Sequence, residues 1–206
     1  AAGINIQGRS KRLRVNYRTT EEIKRHAVSI VSGIEADDFD GNAESLKGYV
    51  SLLHGEAPVY QLLANKNQEF EAIANYVNQC IEAGIRPTDI CVASYRNDSV
   101  DSIANYLSRN VGLPVRLWNR GDKDGVHAYT FHRMKGLEFR VVILADVSAN
   151  TIPFHAGNYN ELDDEQKRQV DQSQRSLMYV ALTRAINRVL ITGCGEPSSF
   201  LTSLSK

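Results

Sequence analysis

The stretch TFHRMKGLEFRVVILADV, residues 130–147, decides the fold of this chain. It begins as a short strand, passes through a polar turn at Lys135 and Gly136, and ends in an unbroken apolar run after Arg140. Such runs are typical of strands covered on both faces, as in a parallel sheet between two layers of helices. Ligands of these sheets bind outside the carboxyl ends of strands, so a phosphate or nucleic-acid site is expected here. Its candidate residues are Thr130, His132, Lys135 and Glu138.

Apolar periodicity on both sides of this stretch alternates between the strand and the helix period. A short strand is predicted to end near Tyr17, and a capping-box pattern, Thr19 with Glu22, predicts that a helix follows it. Further strands are predicted at 59–63, 90–93, 115–118 and 189–191, and further helices at 70–81, 100–111 and 177–185. This alternation predicts an α/β fold with a mainly parallel sheet.

Length and charge limit the alternatives. With 206 residues, one compact domain with a small insertion is expected. The 24 basic and 24 acidic side chains leave no net charge, so no global basic field indicates nucleic-acid binding. Basic side chains do outnumber acidic ones among residues 1–25, which leaves room for a local basic patch.

Cysteine, histidine and hydropathy patterns indicate the class of protein. The three cysteines are odd in number and lack metal-ligand spacing, which suits a reduced cytosolic compartment, and the five histidines are scattered. No signal peptide opens the sequence, and no apolar run approaches the ~20 residues of a membrane helix. We therefore expect a cytoplasmic protein without a metal site, and expect AAGINIQGRS to be the middle of a longer chain.

Residues 35–56 are less regular than the rest and are expected to form an insertion. Four acidic residues near its start resemble a calcium loop, but the full spacing and the closing Glu are absent. They are Glu35, Asp37, Asp38 and Asp40. A solvated loop is the favoured interpretation.

No phosphate-binding loop of the form GxxxxGK[ST] occurs, and neither does GxGxxG, GxSxG, HExxH or a paired CxxC. Polar and basic residues recur instead at predicted strand ends: Arg18, Arg96, Thr130 with His132, and Arg184. In a parallel sheet some of these turns share one edge, where an Arg offers its planar fork of donors to phosphate. Taken singly, Arg18 and Arg96 fit ordinary surface residues, and Arg184 fits a residue that complements a helix dipole.

Four blocks of sequence, in order, resemble motifs of the UvrD/Rep/PcrA family of superfamily 1 helicases. NYRTTEEI (16–23) is similar to the fourth motif, DICVASYRND (89–98) to the strand and turn after it, TFHRMKGLEFRVVIL (130–144) to the fifth, and LMYVALTRA (177–185) to the sixth. The resemblance covers 13–34, 89–113, 127–147 and 172–192. It implies that 1–206 is a single C-terminal RecA-like domain, a three-layer sandwich with helices on both faces of a mainly parallel sheet.

The resemblance also assigns nucleotide-binding residues. Arg18 and Arg184 match two Arg residues that reach the γ-phosphate, so they would act as arginine fingers that stabilise charge on the departing phosphoryl group. Glu138 matches a Glu near the ribose, and Gly136 permits a close backbone approach that a side chain would block. The family binds ATP and Mg²⁺ mainly through an N-terminal RecA-like lobe, whose Walker A Lys this sequence lacks.

Three further residues match positions that face single-stranded DNA: Arg96, Thr130 and His132. Arg96 suits a phosphate contact, which positions a strand without reading its sequence. The expected partners are therefore single-stranded DNA and the N-terminal lobe of the same polypeptide. The expected function is the C-terminal motor domain of an ATP-dependent DNA helicase or translocase, 3′→5′ by family analogy, with no ATPase activity in this chain alone.

The sequence departs from the family pattern at three places. Asp98 stands where the family usually has Asn, SQRS (173–176) replaces an acidic-basic run, and only a turn, 119–125, occupies the place of a large helical insertion. The accessory subdomain is thus absent at its usual place. These departures favour a second hypothesis, a degenerate helicase-like module that binds nucleic acid or a protein without motor activity. An unrelated α/β nucleotide-binding protein is disfavoured, because no phosphate loop is present.

Overall fold

The computed structural model describes residues 15–16, 18–31, 50–110, 112, 114–118 and 124–204. Several predictions fall elsewhere in the chain. The strand position Tyr17, the acidic residues within 35–40 and most of the predicted turn 119–125 lie outside the described residues.

Strands and helices alternate along the described part of the chain. The strands are β1 (Val15–Asn16), β2 (Val50–Ser51), β3 (Val59–Leu63), β4 (Ile90–Ser94), β5 (Val115–Leu117), β6 (Val126–Thr130), β7 (Phe139–Leu144) and β8 (Ala185–Cys194). The helices are α1 (Glu21–Val31), α2 (Lys66–Glu82), α3 (Asn97–Asn110) and α4 (Asp164–Leu182). Short 3₁₀ segments cover Pro87–Asp89, Phe131–Met134, Tyr159–Glu161 and Ser199–Leu204.

Six strands form one sheet in the order β3-β8-β7-β4-β6-β5, and every pair in it is parallel. The apolar run predicted to be a buried strand is β7, near the middle, where Val142 lies between Cys91 of β4 and Val189 of β8. Arg140 is exposed, whereas the residues from Val141 to Ala145 are fully buried. The strands β1 and β2 form a separate two-residue parallel pair.

Alternate residues of the central strands pack into two separate cores. Val142 and Leu144 belong to the core under α1 and α4, together with Ile23 and Met178. Val141 and Ile143 belong to the core under α2 and α3, together with Ile73, Val77, Ile103 and Leu107. Each fully buried aliphatic side chain stabilises the fold by about 1.5–3 kcal/mol relative to exposure. The predicted α/β sandwich, a parallel sheet with helices on both faces, is confirmed.

The start of α1 differs from the predicted capping box. Thr20, not Thr19, is the N-cap residue, since its Oγ1 accepts from Ile23 N at 3.4 Å. The Glu22 carboxylate accepts from Gly55 N at 2.9 Å and contacts His54 Nδ1 at 3.0 Å. The predicted capping box between Thr19 and Glu22 is therefore wrong, because the Glu22 side chain binds the loop at His54 and Gly55 instead of the backbone at the start of its own helix.

The remaining boundaries follow local signals in the sequence. Helix α2 ends before Gly84, whose φ of 81° lies in the left-handed region that favours glycine. Helix α4 begins with a capping box between Asp163 and Gln166, so the polar run after Asp163 is helical. The last strand is longer than the predicted 189–191. No helix within the described ranges is long and apolar enough to cross a membrane.

Candidate functional site

The predicted site residues lie at two opposite edges of the sheet. Arg96, Thr130 and His132 lie at the carboxyl ends of β4 and β6, whereas Glu138 and Arg184 precede β7 and β8. Because these strands are parallel, carboxyl ends and amino ends face opposite edges. The expectation that Thr130, His132, Lys135 and Glu138 share one strand end is therefore corrected. The crossover, residues 131–138, runs from the carboxyl end of β6 to the amino end of β7.

At the carboxyl edge, the residues after β4 and β6 enclose an open cavity of about 580 Å³, here called the carboxyl-edge cavity. Its lining combines aromatic, basic and polar side chains: Tyr95, Arg96, Asn97, Asp98, Thr130, His132, Arg133 and Phe154. The structure thus brings together all three residues that were predicted to face single-stranded DNA.

The guanidinium of Arg96 is held by its neighbour Asp98. Its Nη2 lies 2.6 Å from Asp98 Oδ2, and its Nε donates to Oδ1 at 2.9 Å. The hydrogen bond from Arg96 lowers the pKa of Asp98 to about 2 and raises the pKa of Arg96. The Arg96 Cζ also lies 5.4 Å from the ring centroid of Phe154. Arg96 is therefore oriented across the cavity, with part of its charge neutralised.

Aromatic rings form one wall of the carboxyl-edge cavity. The Tyr95 ring centroid lies 5.8 Å from that of His132 and 6.0 Å from that of Phe154. Gln174 of α4 fixes the backbone of Phe154, because its Oε1 accepts from Phe154 N at 2.6 Å and its Nε2 donates to Phe154 O at 2.7 Å. Rings presented in this way can stack on bases. The sequence did not identify Tyr95 and Phe154 as site residues. The signals available were an aromatic residue directly after a strand, for Tyr95, and an aromatic residue directly after Pro153, for Phe154.

At the amino edge, three charged residues form a cluster, here called the amino-edge cluster: Arg18, Glu138 and Arg184. Arg18 Nε lies 3.3 Å from Glu138 Oε1, and both side chains are substantially exposed, at 75% and 42%. The backbone carbonyl of Arg184 accepts from Phe139 N at 2.9 Å, and its guanidinium interacts with the charges of Glu138 and Arg18. Gly136 lies in the same turn as Glu138 and has φ of 83°.

The guanidinium of Arg184 is half-buried. Burial lowers its pKa, the nearby Glu138 carboxylate opposes that change, and the charge of Arg18 adds to it. Its Nε donates to the carbonyl of Val180 at 3.1 Å, so Arg184 also caps the end of α4, as the simpler interpretation expected. Two guanidinium groups beside one carboxylate leave an excess positive charge at this edge, which suits an anionic group with several acceptor oxygens.

Trp118 lies at a second cavity of about 510 Å³, beside β5 and β6. Its ring meets that of Tyr129 edge to face, with 5.5 Å between centroids, and 48% of the residue is exposed. Trp118 is therefore only partly packed. Across the described ranges, no group of three or more His, Cys, Asp or Glu side chains could hold a metal ion.

Comparison with known proteins adds a family match and a structural match. Residues 119–196 match the family described as the UvrD-like helicase C-terminal domain. This range contains Thr130, His132, Gly136, Glu138 and Arg184, whereas Arg18 and Arg96 lie outside it.

One relative is the Bacillus subtilis (strain 168) protein named "Putative ATP-dependent DNA helicase YjcD", which is 38% identical over 88 residues. The match covers 41% of this chain and 11% of that protein, so the chain corresponds to a small part of its relative. A solved structure, the C-terminal domain of a possible DNA helicase from Lactobacillus plantarum WCFS1, superposes with a TM-score of 0.63. It is 17% identical and covers 92% of this chain and 94% of its own, which shows a shared fold.

Proposed function

We propose that the chain serves as the second motor lobe of an ATP-dependent DNA helicase or translocase, a role supported by the match of residues 119–196 to the UvrD-like helicase C-terminal domain. The observation that carries this proposal is the position of two chemically different sites at opposite edges of one sheet. The amino-edge cluster is basic, whereas the carboxyl-edge cavity is aromatic and polar. The crossover 131–138 joins them through eight consecutive residues.

The amino-edge cluster fits the terminal phosphates of ATP. Arg18 and Arg184 supply more positive charge than Glu138 removes, and Arg184 is half-buried, where its charge interacts more strongly with an anion. The space beside Gly136 is open, which permits a ligand to approach the backbone. ATP supplies the phosphoryl group whose transfer drives the motor, and the Mg²⁺ ligands are assigned to an N-terminal lobe. Arg18 and Arg184 would then orient the terminal phosphate and stabilise its negative charge.

The carboxyl-edge cavity fits single-stranded DNA. Tyr95, His132 and Phe154 present rings that bases can stack on, and such stacking tolerates any sequence. Arg96 and Arg133 line the same cavity and can contact phosphates, while the Thr130 hydroxyl adds a hydrogen-bonding group. A motor that moves along DNA needs a grip of this sequence-independent type.

The ion pair between Arg96 and Asp98 favours a second candidate, a helicase-like module that binds nucleic acid or a protein without motor activity. Asp98 takes up two donors of the Arg96 guanidinium and places a carboxylate at the cavity. Both features weaken contact with a phosphate backbone. A weak contact between Arg96 and the phosphate backbone fits a module that binds DNA transiently, and it also fits a motor with a modified DNA contact.

Single substitutions in the amino-edge cluster and in the carboxyl-edge cavity of the full-length protein distinguish the two candidate functions. Arg184→Ala is expected to lower ATP turnover by about 10³-fold or more, the usual effect of losing an arginine finger, while single-stranded DNA binding stays within about twofold. His132→Ala is expected to weaken DNA binding by about 5–10-fold, because one stacking ring is lost, and to raise the DNA concentration needed for half-maximal ATP turnover.

Arg168→Ala is the matched control, since Arg168 is exposed on α4 and pairs only locally with Glu165 at 2.7 Å. It should change neither ATP turnover nor DNA binding. A full-length protein without DNA-stimulated ATP turnover supports the binding module. Unchanged turnover in Arg184→Ala contradicts the arginine-finger role.

A further inference from the structure

Asp146 combines two features that are costly to maintain. It lies two residues after the end of β7, is 5% exposed, and has a backbone φ of 63°, in the left-handed region that residues other than glycine rarely adopt. Of the described non-glycine residues, it alone has a positive φ. Strained conformations persist where surrounding contacts determine them, and they cluster at functional sites.

Both carboxylate oxygens of Asp146 are bound by side chains from different parts of the fold. Oδ2 accepts from Ser99 Oγ at 2.6 Å, and Oδ1 accepts from Thr151 Oγ1 at 2.9 Å. Oδ1 also pairs with the ammonium of Lys66, and the backbone N donates to Glu69 Oε1 at 2.7 Å. Four separate groups thus fix this single residue.

The contacts behind Asp146 form a rigid anchor. Glu69 is fully buried; its Oε1 also accepts from Thr192 Oγ1 at 2.9 Å, and its Oε2 lies 2.9 Å from Lys66 Nζ. Burial acts to lower the pKa of Lys66, but its bonds to Asp146 and Glu69 outweigh burial and raise that pKa, so the ammonium stays charged. Lys66 binds Asp146 after β7 and Glu69 binds Thr192 of β8, so these two residues of α2 tie the helix to the ends of both strands.

The two hydroxyl partners of Asp146 belong to the two segments that supply Arg96 and Phe154 to the carboxyl-edge cavity. Ser99 follows Asp98, which holds Arg96, in the first turn of α3. Thr151 lies three residues before Phe154, in the loop that carries this ring into the cavity. A single buried carboxylate therefore connects the segment that holds Arg96 to the loop that carries Phe154.

We propose that Asp146 is a positioning residue that sets the separation between Arg96 and Phe154, so that one DNA phosphate and its neighbouring base are bound together. This inference rests on the proposed DNA-binding role of the cavity and names a residue that acts through two neighbouring segments instead of touching DNA. Loss of either hydroxyl bond would let its segment move independently, and pre-organisation of the cavity would be lost.

The test measures binding of a fluorescent oligodeoxythymidine to the 206-residue chain by anisotropy. Asp146→Gly keeps the left-handed backbone and removes the carboxylate, and Asp146→Asn keeps the size and removes the charge. Each is expected to weaken DNA binding by about tenfold, because two bonds to a charged group are lost or weakened. If Asp146→Asn fails to fold, Asp146→Gly still provides the measurement.

A double-mutant cycle distinguishes positioning from a general structural role. In a Phe154→Ala background the ring that Asp146 is proposed to position is already gone, so Asp146→Gly is expected to weaken binding by less than about twofold further. A purely structural role would give the same fold-change in both backgrounds, and that result overturns the proposal.

Val77→Ala is the matched control, since Val77 is fully buried in the core under α2 and α3 and is neither in the cavity lining nor in contact with Asp146. It should lower the melting temperature while leaving DNA affinity unchanged; weaker binding in Val77→Ala overturns the positioning role. If Arg96→Ala and Phe154→Ala bind DNA as tightly as the wild type, the proposed function itself fails. If those two variants bind weakly and both Asp146 variants bind normally, the positioning inference alone fails.

Discussion

Arg96 and Asp98 form a two-point ion pair at the mouth of the carboxyl-edge cavity, with Nη2 2.6 Å from Oδ2 and Nε 2.9 Å from Oδ1. Both side chains remain partly exposed, at 43% and 64%. The carboxylate therefore occupies part of the guanidinium that a DNA phosphate would need. Because exposed ion pairs are weak, a phosphate can compete for Arg96, but the competition reduces affinity.

Removal of this competition should strengthen DNA binding. In Asp98→Asn the acid is lost and Arg96 is free to contact a phosphate, so affinity for oligodeoxythymidine should rise by about three- to tenfold at low salt. The slope of log affinity against log salt should steepen by about 0.7, the value for one added phosphate contact on a single strand.

Fluorescence anisotropy at several salt concentrations measures both quantities. Asp101→Asn is the matched control, because Asp101 is an exposed carboxylate on the same helix that does not line the cavity. Equal gains in the two variants would show that only net charge matters, which contradicts a specific role for the ion pair.

The ion pair also predicts how Asp98 titrates. Its pKa should be about 2 in the folded chain, because Arg96 donates to the charged carboxylate, against an ordinary value of 3.8. Since the folded pKa is lowered, the contribution of the pair to stability is complete above the ordinary value and is lost as the pH falls toward 2. Carboxyl-carbon NMR titration measures this pKa directly. In Arg96→Ala it should return toward 3.8; a low pKa that persists there would mean that another group holds Asp98.

The aromatic wall predicts a second loss of DNA binding. Phe154→Ala removes a ring that can stack on a base and that also contacts the Arg96 guanidinium. The free energy of DNA binding should therefore become less favourable by about 1–3 kcal/mol. Phe154→Trp should keep most of the affinity, because the stacking surface remains. Calorimetric titration with oligodeoxythymidine gives both values. Wild-type affinity in Phe154→Ala would show that the bases lie elsewhere.

The chain alone is expected to lack ATPase activity. The amino-edge cluster supplies guanidinium groups, but the sequence contains no GxxxxGK[ST] loop to surround the phosphates. A coupled assay with Mg²⁺, ATP and single-stranded DNA should therefore show no turnover above a buffer control. Appreciable turnover that co-purifies with the chain would overturn this assignment of roles between the lobes.

Gly193 provides a prediction about stability. A Cβ at this position would lie 2.5 Å from the carbonyl oxygen of Val147, in backbone that cannot move aside. The two segments are already bound together through Val147 N and Thr192 O at 2.8 Å. Gly193→Ala should therefore lower the free energy of unfolding by about 1–3 kcal/mol. Urea denaturation is the measurement, and Gly157→Ala, where the space is open, should change stability little.

Much of the fold follows from local sequence patterns. The run after Arg140 was predicted where it occurs, because apolar runs identify buried strands and turn residues limit them. The strand 59–63 was also predicted where it occurs, although it is an edge strand whose residues are mostly exposed. Errors arose where two neighbours compete for one role. Thr19 and Thr20 are chemically equivalent, and only the hydrogen bond from Ile23 N to the Thr20 hydroxyl shows which of them caps α1.

The candidate site was predicted only in part. Residues within one motif, such as Thr130 and Glu138, were expected together, but a parallel connection places them at opposite edges. The partners of Asp146 could not be predicted, because Lys66, Ser99 and Thr151 come from three distant segments and none has a recognisable spacing. Periodicity describes neighbours in sequence, whereas a buried polar network is defined by tertiary packing.

The crossover 131–138 has a mechanical consequence. It begins at the carboxyl-edge cavity and ends at the amino-edge cluster, and two of its side chains, Phe131 and Met134, are fully buried in the core. Packed interiors have low compressibility, so Phe131 and Met134 hold the first half of this segment firmly against the core. We therefore expect a small displacement at the cavity to shift the start of the turn that carries Gly136 and Glu138.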